Sequence, residues 1–102
     1  MYDLAMVFGV LIHIAPNYVP LAYENIYRAT RRYILIGEYY SRQPEEVSYR
    51  GYKNKLFKRD FAGEMLDKYT DLRLVDYGFF YHKDESSNLD DITWFLMEKA
   101  DI

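Results

Sequence analysis

Apolar residues gather into four strand-like runs, and the first is the longest. Residues 4–14 read LAMVFGVLIHI, with a single Gly and one polar side chain near the end. A strand wetted on one face alternates apolar and polar positions. A continuous run predicts instead a strand buried on both faces, as in a parallel sheet. Such strands belong in the middle of a sheet, yet this one stands at the beginning of the sequence. The pattern therefore predicts that its neighbours are supplied from outside.

The rest of the pattern alternates helix and strand. Ala15-Pro16-Asn17 breaks the first run, Asn17 is the expected N-cap, and Pro20 falls in a first helical turn. Val19, Ala22, Tyr23, Ile26 and Tyr27 recur at helical spacing and predict a helix over about 18–31. Arg28, Arg31 and Arg32 would then meet the negative end of its dipole. Tyr33–Tyr40 (YILIGEYY) is the second strand, and residues 41–59 read as one long polar loop carrying aromatics and cations together. Asp60 is placed to cap a second helix over roughly 61–69. Leu72–Tyr81 is a third strand, His82–Asp90 a polar turn, and Ile92–Lys99 a fourth strand antiparallel to the third.

The element order is β-α-β-α-β-β. Parallel crossovers are right-handed, so two that step in one direction put both helices on the same face. The expected fold is an α/β sheet with one uncovered apolar face and one unsatisfied edge.

Composition narrows the function classes. A chain of 102 residues is read as one domain, 1–102. Half its residues are hydrophobic and 19% are aromatic, which argues for a packed core rather than disorder. A net charge of −3 provides no basic footprint for nucleic acid. The absence of cysteine excludes disulfides and thiolate metal sites, and His13 and His82 are too isolated to suggest zinc. The apolar start lacks a basic n-region, carries Asp3, and is too short to span a bilayer. No membrane association and a cytoplasmic location are expected.

Five segments carry a resemblance: YDLAMVFGVLIHIAP, RRYILIGEYY, YRGYKNKLFKRDFAGEMLDKY, DLRLVDYGFFYHKD and DDITWFLMEK. Together they resemble the C-terminal half of class I S-adenosylmethionine-dependent methyltransferases, nearest to the pseudaminic-acid-biosynthesis-associated methylases. The likeness spans essentially the whole chain and is most specific in NKLFKRDFAGEM. It implies a truncated Rossmann-like half-domain supplying the fourth to seventh strands of a seven-stranded sheet. By strand number in this chain the implied order is 1-2-4-3, with the last strand antiparallel and both helices on one face. The family holds its cofactor through a Gly-rich turn after its first strand and an acidic residue ending its second. Neither occurs here, so the resemblance implies that the isolated chain binds no S-adenosylmethionine and is not an active methyltransferase alone.

Candidate site residues follow from the sheet edge and from the loop. His13, expected at the end of the first strand, is either a catalytic base or polar clamp or a residue that fixes the next turn. Glu38, Tyr39 and Tyr40 end the second strand on the same edge. They form either a wall for a sugar-like substrate or a plain strand end. Tyr49, Arg50, Lys53, Asn54 and Lys55 combine rings and cations that suit a carboxylate or phosphate; alternatively they balance Glu45 and Glu46. The resemblance implies an acidic nine-carbon sugar, or its nucleotide-activated form. Asp60 and Glu64 are read as helix capping and surface charge. Tyr77, Phe79, Phe80, Trp94 and Phe95 are read as core or contact residues.

The leading expectation is a half-length relative of a sugar-modifying enzyme that keeps the substrate side. Its competitor is a non-catalytic binding or scaffold module recognising an anionic sugar or a protein through 41–59. A third reading is an incomplete gene product. A homo-oligomer is expected, first a two-fold dimer, through the first-strand edge or the open sheet face. A separate chain carrying the cofactor-binding half is a further expected partner.

Overall fold

The computed structural model describes residues 2–48, 55–84 and 91–100. Strand β1 spans Tyr2–Phe8, shorter than the run that encodes it. It stops because Gly9 takes φ 67°, the left-handed region that costs other residues about 1–2 kcal/mol. Beyond Gly9 the chain tightens into a 3₁₀ turn, Leu11–His13, whose Leu11 and Ile12 are buried in the core. The expected strand over 4–14 is thus half strand and half apolar turn.

A second 3₁₀ turn, Pro16–Tyr18, leads into helix α1, Val19–Ala29. Pro20 lies in its first turn, but Tyr18 rather than Asn17 is the N-cap, and no side chain caps it. Strand β2 starts at the next residue and runs Thr30–Glu38, so Arg31 and Arg32 lie on a strand and not at a helix end. Arg28 lies in the last helical turn as expected, and a further cation comes from far along the chain. Lys99 Nζ donates to the carbonyls of Tyr27 (2.7 Å) and Thr30 (2.5 Å).

The stretch 41–59 is not one loop. Strands β3, Glu45–Ser48, and β4, Lys55–Lys58, pair antiparallel from Glu45↔Lys58 to Ser48↔Lys55. Helix α2, Phe61–Lys68, is capped by Asp60, whose Oδ1 accepts the Gly63 N–H at 2.9 Å. Strands β5, Leu72–Phe80, and β6, Ile92–Lys99, complete the fold. The order is therefore β-α-β-β-β-α-β-β, with residues 85–90 of the expected turn outside the described residues.

The main sheet is mixed and runs β1-β2-β6-β5, with β1 parallel to β2 and β6 antiparallel to both its neighbours. One face carries Val7, Ile34, Ile36, Phe95 and Met97 against Val19 and Tyr23 of α1 and Phe61, Ala62 and Met65 of α2. The helices also hold each other. Tyr23 Oη donates to Glu64 (2.7 Å), and the Tyr27 and Tyr69 rings stack at 4.0 Å. Glu64, expected as surface charge, bridges Tyr23 and Arg59. The Tyr27 hydroxyl donates to Asp71, and that bond, aided by burial, pushes its pKa up to about 12.

The opposite face is assembled in rows across the strands: Phe8–Gly37–Trp94–Gly78, Met6–Leu35–Leu96–Asp76 and Leu4–Tyr33–Glu98–Arg73. The two glycines are required by the rings beside them. A Cβ at Gly37 would come within 2.3 Å of the Phe8 ring, and one at Gly78 within 2.5 Å of Trp94. Leu4 and Met6 are 47% and 63% exposed there. The polar end of this face is an ion-pair cluster in which Glu98 accepts from Arg32 (3.1 Å) and Arg73 (2.6 Å). Among the described residues no helix is long and apolar enough to cross a membrane.

Candidate functional site

The carboxyl ends of a parallel strand pair are where α/β sheets collect ligands, and here that pair is β1 and β2. The pairing runs one residue past β1, with Gly9 N–H donating to the Gly37 carbonyl at 2.9 Å. The left-handed Gly9 then swings the chain round so that successive peptide N–H groups point back at the end of β2. Glu38 receives them: Oε2 accepts from Val10 and Oε1 from Ile12, each at 3.1 Å. Its side chain is only 3% exposed. Burial raises the Glu38 carboxyl above the usual glutamate range, and the peptide N–H groups of residues 9–12 pull it part of the way back.

Against this carboxylate lies a cavity of about 170 Å³. Ile12, Leu56 and Ile92 give it apolar sides, and His13 and Tyr39 line it together with Glu38 and Gly9. The structure thus brings together three of the expected residues, His13, Glu38 and Tyr39. His13 gets there by a different route: it closes the 3₁₀ turn and is exposed, rather than ending a strand. Tyr39 and Tyr40 also lie just beyond β2. Tyr40 lines a neighbouring hollow with Arg59 and Phe61, its ring 6.1 Å from that of Phe95.

Tyr49, Arg50, Lys53 and Asn54 lie outside the described residues, and Lys55 is placed by its backbone as the first residue of β4. Sequence reasoning missed Gly9, Ile12, Leu56 and Ile92. Gly9 was the available signal, since a glycine inside an apolar run marks a bend as readily as a strand. Leu56 was hidden because β4 is only four residues long and begins and ends with lysine.

The arrangement is a fixed, buried acceptor with an imidazole and a phenol beside it. It can accept hydrogen bonds from a hydroxyl or amine while apolar sides hold the carbon skeleton. The peptide donors of the glycine-bearing turn are already taken by Glu38. The cavity is also smaller than the roughly 300–1,000 Å³ typical of sites for drug-sized ligands. Among the described residues no group of three or more acidic or histidine side chains is placed to hold a metal ion. No protein-family model matches the chain, and no curated protein matches it either.

Proposed function

We propose that the chain is a methyltransferase-like half-domain, the substrate side of a sugar-modifying enzyme, and that it binds a small hydroxyl-rich ligand in the Glu38 pocket without methylating it alone. One observation carries this reading. A buried carboxylate, held by the turn after β1 at the carboxyl end of the parallel pair, faces a cavity beside His13 and Tyr39. The sheet order β1-β2-β6-β5, with β6 antiparallel and both helices on one face, supports the Rossmann-like part. In this reading Glu38 accepts a hydroxyl hydrogen bond, the Tyr39 ring packs on the sugar, and His13 hydrogen-bonds at the mouth or takes up a proton.

Calorimetry and amide NMR on the whole chain test it. Monosaccharides are expected to shift the Val10, Ile12 and Tyr39 signals, and S-adenosylmethionine to show no micromolar binding. Micromolar cofactor binding, or silence with every sugar, overturns the proposal.

A second reading is favoured by the uncovered sheet face. Phe8, Leu35, Phe80, Trp94 and Leu96 enclose an apolar trough of about 250 Å³, with Met6 exposed alongside. Two copies stacked through this face would form a sandwich with sheets about 10 Å apart. Light scattering at micromolar concentration is expected to give twice the monomer mass; a monomer removes this reading.

A further inference from the structure

We infer that the ligand group seated against Glu38 is a protonated amine, so that an amino sugar is preferred over a neutral or acidic one. This rests on the preceding reading that the pocket takes a sugar-like ligand. It adds the sign of the charge, which the sequence had placed the other way by looking to Arg50 and Lys53.

The argument begins with compensation. A carboxylate removed from water is costly unless it meets hydrogen bonds and, better, an opposite charge. Glu38 has the first from the peptide groups of Val10 and Ile12. Among the described residues it lacks the second. Arg59 borders a hollow that Glu38 also lines, but its Nε donates to Glu64 at 2.7 Å rather than to Glu38. Peptide dipoles orient an anion without cancelling its charge, so the cavity beside Glu38 keeps a negative potential. Each carboxylate oxygen has two lone pairs, and one accepted N–H leaves capacity for another donor.

The remaining surroundings agree. His13 and Tyr39 are the other titratable groups facing the cavity, and Ile12, Leu56 and Ile92 supply the apolar sides. Among the described residues, no cationic side chain other than a protonated His13 lines it to receive an anion. Burial raises the Glu38 carboxyl, in keeping with a charge that its peptide donors offset only in part. An ammonium would lower it again and gain a charge-assisted hydrogen bond.

The test is an amide NMR titration of the whole chain at neutral pH with glucosamine, glucose, N-acetylglucosamine and glucuronate. Glucosamine is expected to shift the Val10 and Ile12 amides with a Kd about tenfold below that of glucose. N-acetylglucosamine, with its charge removed, should lose that advantage, and glucuronate should bind weakest. Equal binding of glucosamine and glucose overturns the amine preference while leaving a sugar pocket. Silence with all four overturns both. Glu38→Gln should abolish the preference, and its survival there also overturns the inference. If that variant unfolds, the N-acetyl comparison on the native chain decides alone.

Discussion

Gly37 and Phe8 form a contact with no slack. An alanine at 37 would drive a methyl group into the ring, 2.3 Å away, so the ring must lift off the sheet. Gly37→Ala is expected to lower stability by about 1–3 kcal/mol in urea unfolding, the usual cost of overpacking. Glu98 governs a different dependence. Hydrogen bonds from Arg73 and then Arg32 hold its carboxyl below the ordinary glutamate range. The unfolded chain therefore takes up this proton at higher pH than the folded one. The stability so contributed is present above the ordinary range and lost as pH falls through it. The thermal midpoint should drop between about pH 5 and pH 3, and Glu98→Gln should flatten part of that drop. At this scale the sequence allowed His13, Glu38 and Tyr39 to be assigned to one edge, because that argument needs only the direction of a strand. It did not allow the turn that joins them to be seen. Gly9 sits in a run whose other residues are nearly all apolar, and burial in a turn looks the same as burial in a sheet.

Helix α2 is the element whose limits were most legible, because its start is encoded locally. Asp60 accepts the Gly63 N–H, and Phe61 and Met65 recur at helical spacing on the buried side. Asp60→Ala should cost about 1 kcal/mol, read from urea midpoints. Met65→Ala, at a fully buried site between helix and sheet, should cost about 2–5 kcal/mol in the same experiment. Helix α1 shows the opposite case. Its three arginines suggested positive charge gathered at the end, but Thr30 starts a strand, only Arg28 stays in the last turn, and Lys99 binds the last carbonyls. No local pattern can announce a partner 72 positions away. Strands β3 and β4 were hidden for a simpler reason: four residues each, half of them charged, offer too short a period to read.

Across the molecule, the mixed sheet and its two helices were legible because four strong apolar runs alternate with two amphipathic ones. The open face was legible too, since runs apolar on both sides leave one side without a helix. Met6 probes that face without entering the core. Met6→Lys, at 63% exposure, should leave the thermal midpoint within about 0.5 kcal/mol-equivalent of native, while preventing any face-to-face dimer seen by light scattering. The place of β6 has a further consequence. It comes last of the strands in sequence yet lies second from the edge, hydrogen-bonded to β2 on one side and β5 on the other. During synthesis β2 and β5 lack the strand that joins them until residues 92–99 have left the ribosome. At roughly 5–20 residues per second that interval lasts a few seconds, during which a chaperone has its chief reason to bind the nascent chain.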